Sequence, residues 1–133
     1  QAHRKNGLNI LVAEDNEINA MLARAALGKA GHRVRIVSNG REAVEAVNDE
    51  AHARYDIVLM DLHMPVMDGL DAINAIRRHE EETGLAPLPI LVLTADGQEE
   101  TRHGVLAHGA NGFVTKPLDP DELLTALDMH AVV

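Results

Sequence analysis

Five polar side chains that could take part in one reaction follow short apolar segments of the sequence. Glu14 and Asp15 come after "NILVA", Asp61 ends "IVLMD", Thr94 ends "ILVLT", and Lys116 follows "FVT". In an open sheet of parallel strands, ligands bind outside the carboxyl ends of the strands, so residues in these positions meet in one crevice. Acids, a hydroxyl and an ammonium group are therefore expected at a common site.

The carboxylates in such a crevice need a cation. Each pair repels by about 4 kcal/mol at 4 Å when the effective dielectric constant is near 20. A hard divalent ion removes that repulsion, and Mg²⁺ prefers carboxylate, water and phosphate oxygens. Lys116 adds a fixed positive charge and Thr94 a neutral donor. This set suits a phosphoryl group whose oxygens are shared by metal, ammonium and hydroxyl, with a carboxylate as nucleophile.

Asp61 is the predicted nucleophile because it ends the central apolar segment. Asp56 lies at the other end of that segment, and Asp68 and Asp71 lie at the start of the following helix, where acids commonly serve as caps. The two acids after the first segment also precede a helix. They could hold metal or simply cap that helix.

The chain alternates between apolar, β-rich segments and segments of helical period. We predict five strands, at residues 8–15, 32–38, 55–61, 89–95 and 112–116. Apolar residues at helical spacing predict five helices with these core faces: Ile18, Met21, Leu22 and Ala25; Ala43, Val44 and Val47; Leu70, Ile73 and Ile76; Val105 and Leu106; Leu123, Leu124 and Leu127. Strands alternating with helices predict βαβ crossovers, and near-continuous apolar strands predict helices on both faces. An α/β fold with a doubly wound, five-stranded parallel sheet follows.

Helix ends and one long connection are also predicted from local signals. Asp119 and Pro120 mark the start of the fifth helix as N-cap and first helical residue. Gly31 and Gly109 fit helix exits. Residues 78–89, "RHEEETGLAPLP", are predicted to form an acidic surface connection, with "HEEET" as a solvated face.

Composition excludes several classes of protein. Hydrophobic residues make up 46% and charged residues 25% of 133 residues, which is ordinary for one globular domain. The absence of cysteine excludes disulfides and thiolate zinc sites, and fits the cytoplasm. A net charge of −9 argues against direct binding to nucleic acid. We see no apolar segment near the roughly 20 residues that a membrane span needs, and no signal peptide.

Four segments carry a resemblance to a known family. "LVAEDNEIN", "DIVLMDLHMPVMDG", "ILVLTA" and "GANGFVTKP" occur in an order and at spacings that resemble the receiver domain of two-component response regulators. The resemblance covers residues 8–130, with 1–7 as a linker or tail and 131–133 as the C-terminal end. It implies a flavodoxin-like sheet with strand order 2-1-3-4-5.

The resemblance also implies roles for individual residues. Asp61 is similar to the phospho-accepting aspartate, and Glu14, Asp15, Asp61 and the His63 backbone carbonyl to the ligands of Mg²⁺, for which Mn²⁺ can substitute. Thr94 and Lys116 would bind phosphoryl oxygens, and Thr94 with Phe113 would form a switch. The Lys116–Pro117 bond is implied to be cis. His63 and Asp96 are candidate tuning residues for phosphoryl hydrolysis.

The expected function is Mg²⁺-dependent phosphoryl transfer from a phosphohistidine to Asp61, which switches a partner-binding face. The partner is a histidine kinase or histidine phosphotransfer domain, with no direct nucleic-acid or membrane contact, and a monomer is expected. "EDNEINAMLARAAL" resembles the receiver of a hybrid sensor histidine kinase, whereas the lack of an output module after "DMHAVV" also fits a stand-alone response regulator. As an isolated domain it would be no enzyme beyond its own phosphorylation and dephosphorylation, and it would be cytoplasmic even if its parent is membrane-anchored.

Three other functions stay open on the residues alone. An aspartyl-phosphate hydrolase would have a second acid two residues after the nucleophile, where this chain has His63. A nucleotide or flavin module would have a Gly, Ser or Thr-rich loop after the first strand instead of "AEDNEIN". A phosphate-independent interaction domain would need no site of this composition.

Overall fold

Strands and helices alternate along the chain, as the sequence predicts. The computed structural model describes residues 7–49, 55–95, 99–116 and 118–130. The strands β1 to β5 are Asn9–Ala13, Arg33–Val37, Ile57–Asp61, Ile90–Thr94 and Gly112–Thr115. The helices α1 to α5 are Glu17–Lys29, Gly40–Asn48, Gly69–Thr83, Glu99–Ala107 and Pro120–His130. Each strand falls inside its predicted segment.

The five strands form one parallel sheet in the order β2-β1-β3-β4-β5. β1 and β3 are both central, and their register places Ala13 opposite Met60. On the other side of β3, Asp61 lies opposite Leu93, and Thr94 lies opposite Thr115 of β5. The carboxyl ends of β1, β3, β4 and β5 therefore lie side by side, and the predicted fold is confirmed.

Two apolar cores cover the two faces of the sheet. α1 and α5 pack on one face through Ala23, Leu27, Leu123 and Leu127. α2, α3 and α4 pack on the other through Ala43, Ala46, Ala72, Ile73, Ile76 and Val105. Each large side chain that is fully buried contributes about 1.5–3 kcal/mol, so the sheet that positions the strand ends is firmly held.

The predicted apolar face of α1 is wrong, although the helix itself is confirmed. Ile18 is 69% and Met21 66% exposed, and Leu22 and Ala25 are also exposed. The helix instead buries Ala20, Ala23 and Leu27. Two of these three buried residues are alanines, whereas the larger side chains of Ile18, Met21 and Leu22 point to solvent. In α4, Val105 is buried as predicted, whereas Leu106 is 44% exposed.

The acidic connection predicted at residues 78–89 is also partly wrong. α3 continues to Thr83 and ends at Gly84, whose φ of 73° is left-handed. Within "HEEET", Glu80 is only 5% exposed, since Arg77 and the Leu88 amide hold its carboxylate. Only part of this segment is a solvated surface.

A buried histidine fixes the start of the sheet. His32 is 7% exposed, and its Nδ1 accepts a hydrogen bond from the Leu8 amide at 3.2 Å. Burial lowers the pKa of His32 below its usual value of 6.5, and the charge of Asp128 opposes that shift without reversing it. The neutral ring is therefore the form that fits this position.

Two helix exits follow the predicted pattern. Gly31 and Gly109 have φ values of 92° and 110°, which only glycine adopts readily. Among the described residues, no helix combines the length and hydropathy needed to cross a bilayer.

Candidate functional site

Three acids converge at the carboxyl ends of β1 and β3. Glu14 and Asp15 follow β1 directly, and Asp61 is the last residue of β3. Each offers an oxygen that lies within 4.8 Å of the others. Glu14 is 2% and Asp61 5% exposed, whereas Asp15 is exposed. Because Asp15 is exposed, a cation can approach the two buried acids from solvent.

The capping alternative for the acidic pair is excluded by the start of α1. Asn16 is the N-cap, and its side-chain oxygen accepts from the Ile18 and Asn19 amides at 2.9 and 3.0 Å. Glu14 Oε2 accepts from the Asn16 amide at 3.2 Å, while its Oε1 lies 2.8 Å from Lys116 Nζ. By contrast, Asp68 does cap α3, as predicted.

Lys116 lies between two of the acids. Its Nζ is 2.8 Å from Glu14 Oε1 and 3.2 Å from Asp61 Oδ1. Its position is fixed by the backbone, since the Lys116 amide donates to the Thr94 carbonyl oxygen at 2.8 Å. Burial alone would lower the pKa of Lys116, but the hydrogen bond to Glu14 and the charges of Asp61 and Glu14 raise it. The ammonium group is thus held in its charged form.

One ammonium does not neutralise the three acids. Burial raises the pKa of Glu14, and the neighbouring Asp61 raises it further, although Lys116 opposes both effects. Apart from this ion pair, Glu14 Oε1 has no hydrogen-bond partner among the described residues. A buried anionic oxygen with this environment, beside two more carboxylates, fits a hard divalent cation such as Mg²⁺.

Thr94 and Phe113 lie on the same side of the sheet. Thr94 ends β4 and is 4% exposed. Side chains alternate along a strand, so Thr94 shares the face of Val92, which belongs to the core under α2, α3 and α4. Phe113 is half-buried against that same core. The proposed switch pair therefore borders one helix layer, the layer that contains α4.

The loop after Asp61 is compact. The His63 amide donates to Asp61 Oδ1 at 3.4 Å, while the His63 side chain is exposed. A Cβ on Gly69 would lie 2.3 Å from the Asp61 carbonyl oxygen, so α3 can start this close to the site only with glycine. The side chain of Asp61 is thus positioned by strand, loop and helix together.

Two predicted features fall outside the described residues. Asp96 and Pro117, and with them the tuning role of Asp96 and the cis peptide bond, belong to the segments that the structure does not describe. Sequence reasoning also missed the exposed apolar stripe of α1, next to the acids. The spacing of Ala20, Ala23 and Leu27 is the signal that could have revealed it.

Comparison with known proteins identifies the family to which the chain belongs. The response regulator receiver domain family matches residues 10–128. Hybrid signal transduction histidine kinase M of Dictyostelium discoideum is 42% identical over 118 residues, which are 89% of this chain and 5% of that protein. The chain likewise spans 17% of the length of the sensory/regulatory protein RpfC of Xanthomonas campestris, to which it is 36% identical.

Solved structures show the same fold. The receiver domain of the sensor histidine kinase PA1611 from Pseudomonas aeruginosa, which holds a magnesium ion in its active-site cleft, has a TM-score of 0.80 at 36% identity, covering 92% of this chain and 96% of that one. The receiver domain of Ssk1 from Saccharomyces cerevisiae, solved with the histidine phosphotransfer protein Ypd1, has a TM-score of 0.81 at 30% identity, covering 89% and 84%. The chain therefore belongs to the response regulator receiver domains of two-component phosphorelays.

Proposed function

We propose that Asp61 accepts a phosphoryl group from a phosphohistidine, and that Glu14, Asp15, Asp61 and the His63 carbonyl hold the Mg²⁺ this transfer requires. The observation that carries the proposal is the convergence of the three carboxylates with Lys116, whose Nζ lies 3.2 Å from Asp61. Mg²⁺ would neutralise charge on the phosphoryl oxygens. Mn²⁺, which also prefers oxygen ligands, is expected to substitute.

Residues of the chain account for the other parts of the transfer. An Asp61 carboxylate oxygen attacks phosphorus, the bond from phosphorus to the imidazole nitrogen breaks, and the electron pair leaves with the histidine of the donor. Lys116 is already charged and stabilises the transferred oxygens without reorganising. Thr94 ends the neighbouring strand β4, at the same edge of the sheet. Its hydroxyl donates a hydrogen bond to the new phosphoryl group. Phosphorylation thereby draws Thr94 inward, and Phe113 follows into the space on the α4 side.

The donor is a histidine kinase or a histidine phosphotransfer protein. In the family, Ssk1 is an example of a receiver bound to such a transfer protein. Because the matched curated relatives are mostly histidine kinases of much greater length, we propose that the parent of this chain is a hybrid sensor histidine kinase. Residues 8–130 form its receiver and residues 1–7 a linker. The domain is proposed to act in the cytoplasm, as a monomer and with no enzymatic activity besides its own phosphorylation and dephosphorylation.

The exposed face of α1 is proposed as the docking surface for this donor. Ile18, Met21 and Leu22 are 69%, 66% and 46% exposed on the first turns of α1, which begins two residues after Asp15. Scattered apolar side chains on a surface are ordinary, but three on one helical face beside a reaction site indicate a binding surface. A donor helix that carries the phosphohistidine can cover this face while its imidazole reaches Asp61.

The acceptor is tested by phosphoryl labelling from a phosphohistidine donor and, separately, from acetyl phosphate. Asp61→Asn should abolish labelling from both, and removal of Mg²⁺ should do the same to the wild type. Asp68→Asn is the matched control, because asparagine caps a helix as well as aspartate does. Equal labelling of the wild type and Asp61→Asn would disprove the assignment of the acceptor.

The docking surface is tested by comparing the two phosphoryl donors. Replacing Ile18 and Met21 by serine should slow transfer from the phosphohistidine protein by about tenfold or more, since two apolar contacts are lost. Labelling by acetyl phosphate should not change. Leu85→Ser is the control, because Leu85 is 47% exposed and precedes β4 at the opposite end of the sheet. Slower labelling from both donors would place these residues in the reaction itself.

Two finer assignments and the competing functions have their own tests. His63 and Asp96 are proposed to set the lifetime of the phosphorylated state, which is measured on His63→Ala and Asp96→Ala.

A hydrolase would turn over small phosphomonoesters, a nucleotide or flavin module would retain its ligand on purification, and an interaction domain would not respond to beryllofluoride. We expect none of these three results.

A further inference from the structure

A polar network lies at the end of the sheet away from the acids. Arg77 of α3 forms an ion pair with the buried Glu80, with 2.8 Å between Nη1 and Oε1. Glu80 Oε2 accepts from the Leu88 amide at 2.7 Å, just before β4. The Arg77 Nε and Nη2 both donate to the Gly109 carbonyl oxygen, at 3.0 and 2.8 Å. A half-buried arginine thus connects α3 to the turn between α4 and β5.

This network fixes the C-terminal end of α4. Arg77 Nη2 also donates to Asn111 Oδ1 at 2.9 Å, and that oxygen accepts from the Ile90 amide at 2.9 Å. The Asn111 amide donates in turn to the Ile90 carbonyl oxygen at 2.8 Å. A Cβ on Gly109 would lie 3.1 Å from Arg77 Cγ, so the turn and the arginine are in close contact. The turn after α4 is therefore attached both to α3 and to the start of β4.

The two ends of α4 are placed very differently. Its first residue, Glu99, comes five positions after Thr94, the buried threonine at the reaction end of β4. Its last residue, Ala107, lies two positions before Gly109, which Arg77 binds, and Asn111 of the same turn bonds to Ile90, the first residue of β4. β4 is five residues long, so these anchor points are separated by about 13 Å along the strand.

We propose that Arg77 and Glu80 form a pivot for α4. A change at Thr94 moves the N-terminal end of the helix, while the network keeps the C-terminal end in place, so that α4 rotates about its last turn. Arg77 is then a positioning residue for the switch and takes no part in the transfer to Asp61. This proposal rests on the proposed phosphorylation of Asp61.

The test is hydrogen–deuterium exchange of the whole chain with and without beryllofluoride and Mg²⁺. In the wild type, beryllofluoride should change exchange in residues 99–103 and leave residues 104–111 protected. The double variant Arg77→Met/Glu80→Gln removes the network without leaving a buried charge, and the introduced glutamine side chain still offers an acceptor to the Leu88 amide. In this variant, residues 104–111 should exchange at least about tenfold faster, and the response to beryllofluoride should extend along all of α4.

Arg78→Met is the matched control, because Arg78 is the exposed neighbour of Arg77 on the same helix. Its exchange pattern should equal that of the wild type. A double variant whose response stays confined to residues 99–103 would overturn the pivot, as would a wild-type response centred on residues 104–111. Labelling of Asp61 by acetyl phosphate, measured in parallel, should be the same in all three proteins. Loss of labelling in the wild type would refute the proposed function itself, and the pivot with it.

Discussion

Replacing Glu14 by glutamine should stabilise the fold without metal and abolish its response to Mg²⁺. Glu14 belongs to a cluster in which three acids face one ammonium group, and it is the most deeply buried of the three. Glutamine has nearly the same shape and carries no charge. The substitution therefore tests whether the acidic cluster is maintained for a cation at a cost in stability.

The attraction of Glu14 to Lys116 is largely offset by repulsion from the other two acids. The cost of burying the Glu14 charge therefore decides whether the substitution raises or lowers stability. At an effective dielectric constant near 20, attraction between Glu14 and Lys116 at 2.8 Å is about 6 kcal/mol. Repulsion from Asp61, at no more than 4.8 Å, is at least about 3.5 kcal/mol, and Asp15 adds a repulsion that solvent partly screens. Burial raises the pKa of Glu14, so ionised Glu14 is less favourable in the fold than in the unfolded chain. We expect Glu14→Gln to raise the free energy of unfolding by about 1 kcal/mol, or the Tm by about 4 °C.

Thermal unfolding in EDTA and in Mg²⁺ measures both effects. At ten times its Kd, Mg²⁺ should stabilise the wild type by about 1.4 kcal/mol and the variant hardly at all. Glu81→Gln is the control, since it changes the net charge by the same amount at an exposed position of α3. If Glu14→Gln were less stable than the wild type in EDTA, or kept the full Mg²⁺ response, Glu14 would not be a metal ligand maintained at a cost in stability.

Three further predictions concern the buried His32 and two positions where the backbone restricts the side chain, Val66 and Gly69. His32 has a lowered pKa, so its contribution to stability is complete above pH 6.5 and is lost as pH falls through the pKa of the folded state; the stability difference between the wild type and His32→Gln should shrink over that range in denaturant titrations. Val66 has a φ of 68° and is 75% exposed, so Val66→Asn should relieve strain and add about 1 kcal/mol to the free energy of unfolding at an unchanged m-value. Gly69→Ala should cost about 2 kcal/mol or more and reduce labelling of Asp61, because its Cβ would collide with the Asp61 carbonyl oxygen. The control for Gly69→Ala is Gly28→Ala, because a Cβ at residue 28 meets nothing within 4 Å and should stabilise α1 by up to about 1 kcal/mol.

Each of these predictions has a result that would contradict it. A constant difference between the wild type and His32→Gln across pH would mean that the ring does not titrate with folding. No gain from Val66→Asn would mean that the loop already accommodates valine. Equal stability of Gly69→Ala and the wild type would show that α3 can move away from β3 at little cost.

The order of strands and helices could be predicted from the sequence because buried parallel strands have a simple pattern. Continuous apolar segments such as "IVLMD" are typical of strands covered on both faces, and all five residues of this strand are buried. Once the strands are parallel, their carboxyl ends meet at one edge, so Glu14, Asp61 and Lys116 could be assigned to one site before their distances were known. The spacing of residues in the sequence does not give distances between side chains. The structure shows that Lys116 is closer to Glu14 than to Asp61.

The errors in α1 and α3 both concern which side chains of a helix are buried, but their physical causes differ. Helical spacing identifies a helix, but a chain can carry two apolar stripes, and the packing distance decides which one is buried. In α1, the stripe of small residues around Ala23 is buried, and the larger stripe of Ile18 and Met21 is left outside. In α3, the charge of Glu80 argued for solvent, yet a partner three residues earlier made its burial possible.

These two errors concern a charged side chain that is buried, Glu80, and apolar side chains that are exposed, Ile18 and Met21. A buried charge needs a partner, whereas an exposed apolar side chain needs none but is available for binding another protein. For Glu80 that partner is Arg77 within the chain, and the pair secures the turn after α4. Ile18 and Met21 are 69% and 66% exposed on α1. This helix begins two residues after Asp15 of the acidic cluster. We therefore propose that a phosphohistidine donor covers this exposed stripe, and the serine variants of Ile18 and Met21 test that proposal.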